Sequence, residues 1–146
     1  MNGEAYILEG RAGALANYPH ARLANGFLHV SGVSSRRHDD THEGVTIQED
    51  GRAVLDIRAQ TRAVIENIRA ILGAAGADLS HLVDVTVFLV DMADYAGMNE
   101  VYNDYFDAST GPSRTTVAVR QLPHPNLLIE IKAIAIDPAG TVGGGR

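Results

Sequence analysis

Two segments of the chain carry apolar residues at helical spacing. The first spans residues 54–72 and stops at Gly73, a residue that disfavours helix continuation. The second spans residues 92–106 and follows an aspartate, Asp91 or Asp94, that can cap a helix. This pattern predicts two amphipathic helices, and the aromatic stripe of the second is interpreted as part of the core.

Shorter runs alternate between apolar and polar residues, as strands do. They predict a short N-terminal strand and four longer ones, at residues 5–9, 27–31, 83–90, 114–119 and 127–136. The order of strands, helix, strand, helix and strands predicts an α+β fold with two right-handed crossovers. Both helices then pack on one face of the sheet, and the other face is open.

Alternation also divides the strand residues between the two faces. We expect an apolar set on the helix side, which contains Leu28, Val30, Val85, Val87, Leu89, Val117, Val119, Ile129, Ile131 and Ala133. The opposite set is mixed and includes Ser31, Arg114, Thr116 and Glu130. This composition favours a sheet face covered by another subunit, with polar pockets at the seam.

Arg114 and Glu130 stand in runs that otherwise indicate buried strand. A charge in such a position is costly unless it pairs with an opposite charge or with a ligand. One interpretation makes the two residues a structural ion pair across adjacent strands. The other makes them the chemistry of a site.

Composition narrows the class of protein. The chain has 146 residues, a net charge of −6 and no cysteine, which predicts one domain and excludes disulfide and thiolate chemistry. The acidic balance disfavours nucleic acid as a partner. We expect a domain over residues 1–138 and a flexible glycine-rich tail over 139–146. Without a signal-like start or a long apolar run, we expect a cytoplasmic protein that does not bind membranes.

Histidines and carboxylates concentrate in residues 38–43. Neutral histidine is a common metal ligand, but these residues lie on a predicted loop without a framework that would hold an ion. We therefore interpret the run as a hydrated loop and expect no metal site. His124, between two prolines, is either a pocket wall or an exposed turn.

Several motifs together resemble the RidA/YjgF family of enamine and imine deaminases, over nearly the whole chain. They are residues 25–32 (NGFLHVSG), 56–62 (DIRAQTR), 66–68 (ENI), 87–92 (VFLVDM), 99–102 (NEVY), 113–116 (SRTT) and 129–131 (IEI). The resemblance implies a chorismate-mutase-like α+β fold assembled as a homotrimer. It also implies an active site in each inter-subunit cleft and no cofactor.

The resemblance assigns roles to individual residues. Arg114 matches the arginine that holds the substrate carboxylate, and Glu130 matches the acid that handles the attacking water. Tyr18, Ser31 and Asn99 match residues that line or support the cleft. They could equally satisfy backbone groups in turns or helix contacts.

Two departures from the common family pattern matter: the first excludes a role that needs a thiol, and the second disfavours hydrolysis of small monocarboxylate imines. Thr116 stands where many members have cysteine, and residues 32–37 read GVSSRR where many have Gly-Gln-Ile-Pro. Residues 34–37, 115–119 and 121–125 more closely resemble the 2-aminomuconate deaminase branch. Its substrate has two carboxylates, so Arg36 or Arg37 is expected to bind the distal one; a solvated loop is the alternative.

The sequence thus predicts a cofactor-independent hydrolase that converts 2-aminomuconate to 4-oxalocrotonate and ammonia, in aromatic-amine or tryptophan-type catabolism. One alternative is a general 2-imino acid deaminase that removes reactive intermediates. Another is a non-catalytic protein, either a keto-acid sensor or chaperone-like, that uses the same clefts. Ribonuclease activity, claimed for some relatives, fits poorly with a chain that has no basic stripe.

Overall fold

The fold was analysed in a computed structural model that describes residues 1–139, so nearly all of the predicted tail lies outside the described residues. The two α-helices are Ile57–Ala74 (α1) and Tyr95–Tyr105 (α2). The strands are Glu4–Tyr6 (β1), Ala21–Ala24 (β2), Phe27–Val33 (β3), Val45–Ile47 (β4), Ala53–Leu55 (β5), Leu82–Leu89 (β6), Ser113–Ala118 (β7) and Ile129–Ile136 (β8). Both predicted helices and all five predicted strands are present. No helix of this part is long and apolar enough to cross a membrane.

Six strands form one mixed sheet in the order β1-β2-β3-β8-β6-β7. β8 pairs antiparallel with β3 on one side and with β6 on the other, so β3 and β6 run parallel. β6 and β7 pair parallel. α1 connects β3 to β6, after the β4–β5 ribbon, and α2 connects β6 to β7. These are the two crossovers predicted from the sequence.

The first helix begins later than its apolar pattern suggested. Asp56 accepts a hydrogen bond from the backbone nitrogen of Ala59 (3.1 Å) and caps α1, while Val54 belongs to β5. The second helix is preceded by a 3₁₀ turn, Met92–Asp94, which Asp91 caps. Sequence alternation did not reveal β2, β4 and β5, because strands of three or four residues are too short to show it.

The core lies between α1, α2 and one face of the sheet. Its buried strand residues include Leu28, Val30, Val85, Val87, Leu89, Ile129, Ile131 and Ala133, all predicted for the helix side. The opposite face exposes Phe27 and Ile136, which are cross-strand partners, and Val117 on β7. Apolar side chains therefore remain on the open face, and Val117 is among them although the sequence placed it on the helix side.

The prediction for β7 was wrong in its phase. Arg114 pairs with Val85 and Thr116 with Val87, so both side chains lie on the helix side, whereas Val117 is 39 % exposed on the open face. β7 is an edge strand at the rim of the helix layer, where burial does not dictate which face is apolar. Arg114 was thus placed on the wrong face.

Glu130, by contrast, lies on the open face as predicted, beside Phe88 of β6. β6 separates β7 from β8 in the sheet. Arg114 and Glu130 therefore lie on non-adjacent strands and opposite faces of one chain. The interpretation of the two residues as a structural ion pair within the chain is wrong.

Candidate functional site

Arg114 is held by aromatic side chains of α2. Its guanidinium lies 4.6 Å from the ring centroid of Tyr102 and 5.7 Å from that of Tyr95. One guanidinium nitrogen donates to the Tyr95 hydroxyl (3.2 Å), and another lies 3.8 Å from the sulfur of Met98. Cation–π contacts orient the planar group, and its remaining N–H donors stay available for a ligand.

An open cavity adjoins this arginine and is lined by Met92, Tyr95, Arg114 and Thr116. The Thr116 hydroxyl is buried and has no hydrogen-bond partner among residues 1–139, and the same holds for the Tyr102 hydroxyl. Burial also raises the pKa of Tyr102, which keeps that hydroxyl protonated. An unpartnered hydroxyl beside a guanidinium suits an anion such as a carboxylate. We call these five residues the arginine half-site.

Glu130 occupies a different environment. Burial raises the pKa of its carboxyl group. No residue among 1–139 donates a hydrogen bond or forms an ion pair to it. The carboxylate lies over Gly32, where an added Cβ would come within 2.8 Å of Oε2. The result is a half-buried acid that holds its proton more tightly than usual and faces Gly32 at close range.

A second cavity begins at Gly32. Tyr18, Ser31 and Arg36 also line it, so three of the predicted binding residues come together here. Tyr18 is 49 % exposed, and the Ser31 hydroxyl donates to the Pro19 carbonyl (2.8 Å). Ser31 therefore supports the backbone and keeps only acceptor capacity for a ligand. We call Tyr18, Ser31, Gly32, Arg36 and Glu130 the glutamate half-site.

The two arginines expected to bind a second carboxylate have different positions, because Arg36 lines a cavity and Arg37 does not. Arg36 lines the cavity, but its guanidinium pairs with Asp40 and donates to the Gly13 carbonyl. Arg37 is outside both cavities and pairs with Glu43 (2.8 Å) while donating to the Thr41 hydroxyl (3.0 Å). Each charge is already compensated by a carboxylate of the same loop.

The polar run of residues 38–43 is therefore engaged within its own loop. Asp40 and Glu43 bind the two arginines, and Asp39 accepts from the Thr41 hydroxyl (2.6 Å). No group of three histidine, aspartate or glutamate side chains that could hold a metal occurs among residues 1–139. These contacts give the run a structural role.

Two predicted binding residues lie outside both cavities. The His124 ring is 4.4 Å from the His42 ring, and its Nδ1 accepts from the backbone of Asn126 (3.0 Å). Burial, followed by the nearby His124, lowers the pKa of His42. Asn99 lies on α2. Substrate contact by His124 or Asn99 stays a prediction.

Sequence reasoning missed the aromatic support of Arg114. Tyr95 and Tyr102 were interpreted as core, which holds for Tyr102 (8 % exposed) but not for Tyr95 (41 % exposed). The two residues are seven positions apart, so they lie on the same face of α2, the crossover helix that leads into the arginine strand. A crossover helix packs against the strand that follows it, so this spacing was an available signal.

Comparison with known proteins agrees with this fold. The sequence model described as Endoribonuclease L-PSP matches residues 9–137. The chain therefore belongs to that family, which is the RidA/YjgF family.

Named relatives span most of the chain. It is 42 % identical to the RutC family protein PH0854 of Pyrococcus horikoshii, over 90 % of this chain and 96 % of the relative. It is 38 % identical to the Reactive Intermediate Deaminase A, chloroplastic, of Arabidopsis thaliana, over 90 % of this chain and 65 % of the relative. The crystal structure of Escherichia coli TdcF with bound serine superimposes with a TM-score of 0.73 at 31 % identity, covering 91 % and 98 % of the two chains.

Proposed function

We propose that this protein is a deaminase that hydrolyses enamines and imines of 2-amino acids without a cofactor. The observation that carries the proposal is Glu130, a half-buried carboxyl group with a raised pKa and no partner among residues 1–139. Such a group can accept a proton from water and return it within one reaction. The name of the Arabidopsis relative supports the same class of reaction.

We also propose that the working unit is a homotrimer. Within one chain, Arg114 and Glu130 lie on opposite faces of the sheet, so a single copy cannot present both to one small substrate. The apolar side chains of Phe27, Val117 and Ile136 are exposed on the open face. Covering that face with a second copy would bring the arginine half-site of one copy to the glutamate half-site of the next.

The proposed reaction starts with the carboxylate next to the amino-bearing carbon. Arg114 binds this carboxylate, and the Thr116 hydroxyl donates to it. The enamine first tautomerises, because its carbon gains a proton from solvent and its nitrogen loses one, which gives the imine. Glu130 then takes a proton from water as the oxygen bonds to the imine carbon, and it passes this proton to the nitrogen to form the carbinolamine. A second transfer moves the proton of the carbinolamine hydroxyl to the nitrogen, and the C–N bond breaks to leave a keto acid and ammonia. Arg114 holds the imine carbon close to the water, and this positioning supplies much of the rate enhancement.

For the substrate we propose 2-aminomuconate, which would give 4-oxalocrotonate and ammonia. The support comes from residues 34–37 and 121–125, which resemble the 2-aminomuconate deaminase branch. The cavity of the glutamate half-site adds to it, because no acidic residue is among those that line it. A cationic cavity next to the acid suits a substrate with a second carboxylate.

The test is release of ammonia and keto acid from enzymatically generated 2-aminomuconate, with 2-iminobutanoate as a monocarboxylate comparison. We expect Arg114→Ala and Glu130→Gln each to lower kcat/KM by roughly 100-fold or more, because one removes a charged binding group and the other the base. Arg37→Ala is the matched control and should keep wild-type rates. Wild-type turnover by Arg114→Ala, or cleavage of single-stranded RNA without any imine turnover, would refute the proposal.

A further inference from the structure

Arg11 was not expected to take part in binding, but the structure places it in the cavity of the glutamate half-site. It lines this cavity together with Tyr18, Ser31 and Arg36. Its guanidinium donates to the side-chain oxygen of Asn67 (2.7 Å), a neutral acceptor. Among residues 1–139, no carboxylate lies within 4.0 Å of the Arg11 nitrogens. Arg11 thus brings an uncompensated positive charge to the cavity.

The other nearby arginines differ in this respect. Arg36 pairs with Asp40, and its side chain is only 16 % exposed. Arg37 pairs with Glu43 and does not line the cavity. A carboxylate entering the cavity would have to compete with Asp40 for Arg36, but it would meet no competitor at Arg11.

The backbone around Arg11 is also held in place. The Arg11 carbonyl is 3.2 Å from Nδ1 of His38. The neighbouring Ala12 carbonyl accepts from Nε2 of His20 (2.9 Å), whose Nδ1 accepts from the backbone of Leu8 (3.1 Å). Asn67, the acceptor for Arg11, is itself anchored to the Ser34 carbonyl (2.9 Å). The guanidinium is therefore positioned before a ligand arrives, which lowers the entropic cost of binding.

We infer that Arg11 binds the distal carboxylate of an unsaturated dicarboxylate substrate, in place of Arg36 or Arg37. The inference rests on the proposed function, because it assumes that Arg114 of another copy binds the proximal carboxylate. Gly32 lines the same cavity and contacts Glu130, so a ligand held at Arg11 extends towards the acid. Arg11 then determines specificity for dicarboxylates over monocarboxylates, and Arg36 braces the loop.

Two unreactive diene acids of equal chain length test this directly. Muconate has a carboxylate at each end, whereas sorbate has a methyl group at the distal end. By isothermal titration calorimetry, the wild-type protein should bind muconate roughly 10-fold more tightly than sorbate or better, as expected for one charge-assisted contact. Arg11→Gln keeps a donor for Asn67 and removes the charge, so it should lose most of this preference. Arg11→Lys should retain part of it.

Arg37→Ala is the matched control and should leave the preference unchanged. Equal affinity of the wild-type protein for the two acids would overturn the inference. So would a preference that survives in Arg11→Gln but disappears in Arg36→Ala. Binding does not depend on turnover, so the outcomes are separable: loss of preference in Arg11→Gln without any imine hydrolysis by the wild-type protein would refute the proposed function alone.

In the kinetic assay, Arg11→Gln should raise KM for 2-aminomuconate roughly 10-fold and leave KM for 2-iminobutanoate within about 2-fold of the wild-type value.

Discussion

The arginine half-site and the glutamate half-site solve opposite problems. Arg114 lies against two aromatic rings and donates to a hydroxyl, so its charge is stabilised and its orientation is set. Glu130 has no partner within the described chain, and burial raises its pKa. A residue that only binds a carboxylate benefits from a permanent, oriented charge. A residue that must exchange a proton benefits from a charge that is easily lost.

Their positions differ as well. The arginine half-site lies on the helix side of an edge strand, and the glutamate half-site begins on the open face and continues past Gly32. The pattern of apolar and polar residues in the strands singled out both charges. It did not show that the two charges lie on opposite faces of the sheet, in different halves of the proposed site. In the proposed homotrimer, each half is completed by the complementary half of another copy.

The largest expected effect is recovery of activity when two inactive variants are mixed. Arg114→Ala and Glu130→Gln should each be nearly inactive alone, since each removes one half of every site. Co-refolded in equal amounts, they should regain about one quarter of wild-type activity, because random assembly gives intact sites at that frequency when the halves come from neighbouring copies. The measurement is ammonia release from the purified mixture at fixed total protein.

A double variant carrying both changes, co-refolded with wild-type protein, is the control for assembly. In this mixture a site should be intact only where both of the neighbouring copies that form it are wild type. If the two single variants assemble together and the mixture stays inactive, each site draws both residues from one copy and the proposed assembly is wrong.

A smaller effect is expected at Gly32, which contacts Glu130 in the glutamate half-site. In Gly32→Ala the new methyl group would come within 2.8 Å of the Glu130 oxygen and displace the carboxylate. Misplacing a catalytic group by about 1 Å can cost up to roughly 100-fold in rate, so we expect kcat to fall about 10- to 100-fold. Steady-state kinetics and circular dichroism would show lost activity in a folded protein.

Gly73→Ala is the matched control for this change. An added Cβ at Gly73 meets no atom within 4 Å, and the residue lies in α1 but lines neither cavity. Activity should stay at the wild-type level, and alanine should stabilise the helix slightly. Equal activity of Gly32→Ala and Gly73→Ala would show that Glu130 does not need its observed position.

Much of the fold could be predicted from the sequence, because the signals are strong where burial is complete. The apolar periodicity of α1 and the strands β6 and β8 correspond to side chains that are almost fully buried. The phase of β7 could not be predicted in this way. Its largest apolar residue, Val117, lies on the open face, and Arg114 lies on the helix side. Because β7 is an edge strand at the rim of the helix layer, apolar residues are tolerated on either of its faces.

Some residues of the candidate site could also be predicted from the sequence, and others could not. Arg114 and Glu130 were recognisable because charged residues are unusual in apolar strands. The difference between Arg11, Arg36 and Arg37 was not recognisable, because it depends on which carboxylates a folded loop brings within reach. Ion-pair partners in loops are a tertiary property, and the spacing of arginines in the chain does not contain it.

The smallest effect that we expect is on the free energy of unfolding, and it depends on the pH because the Glu130 carboxyl is ionisable whereas the Arg114 charge is permanent. The ordinary pKa of the Glu130 carboxyl is 4.5, and folding raises it. The folded state therefore binds this proton more tightly than the unfolded state does. The resulting stabilisation is fully present below the ordinary pKa and is lost as the pH rises through the raised pKa. At neutral pH and above, the ionised carboxylate is a net cost to folding.

Glutamine is neutral throughout this range, so Glu130→Gln escapes that cost. Its Tm should match the wild-type value near pH 4 and exceed it by about 2 °C near pH 8, a modest shift because water still reaches the carboxyl and screens it. Differential scanning calorimetry at fixed protein concentration would measure both values. Glu9→Gln, at an exposed position, is the control for loss of one carboxylate elsewhere on the surface. A Glu130→Gln protein less stable than wild type at pH 8 would mean that the carboxylate is paired in the assembled protein. A variant that gains stability while losing activity would show that folding tolerates Glu130 at a cost, which is the expected mark of a residue retained for its reactivity.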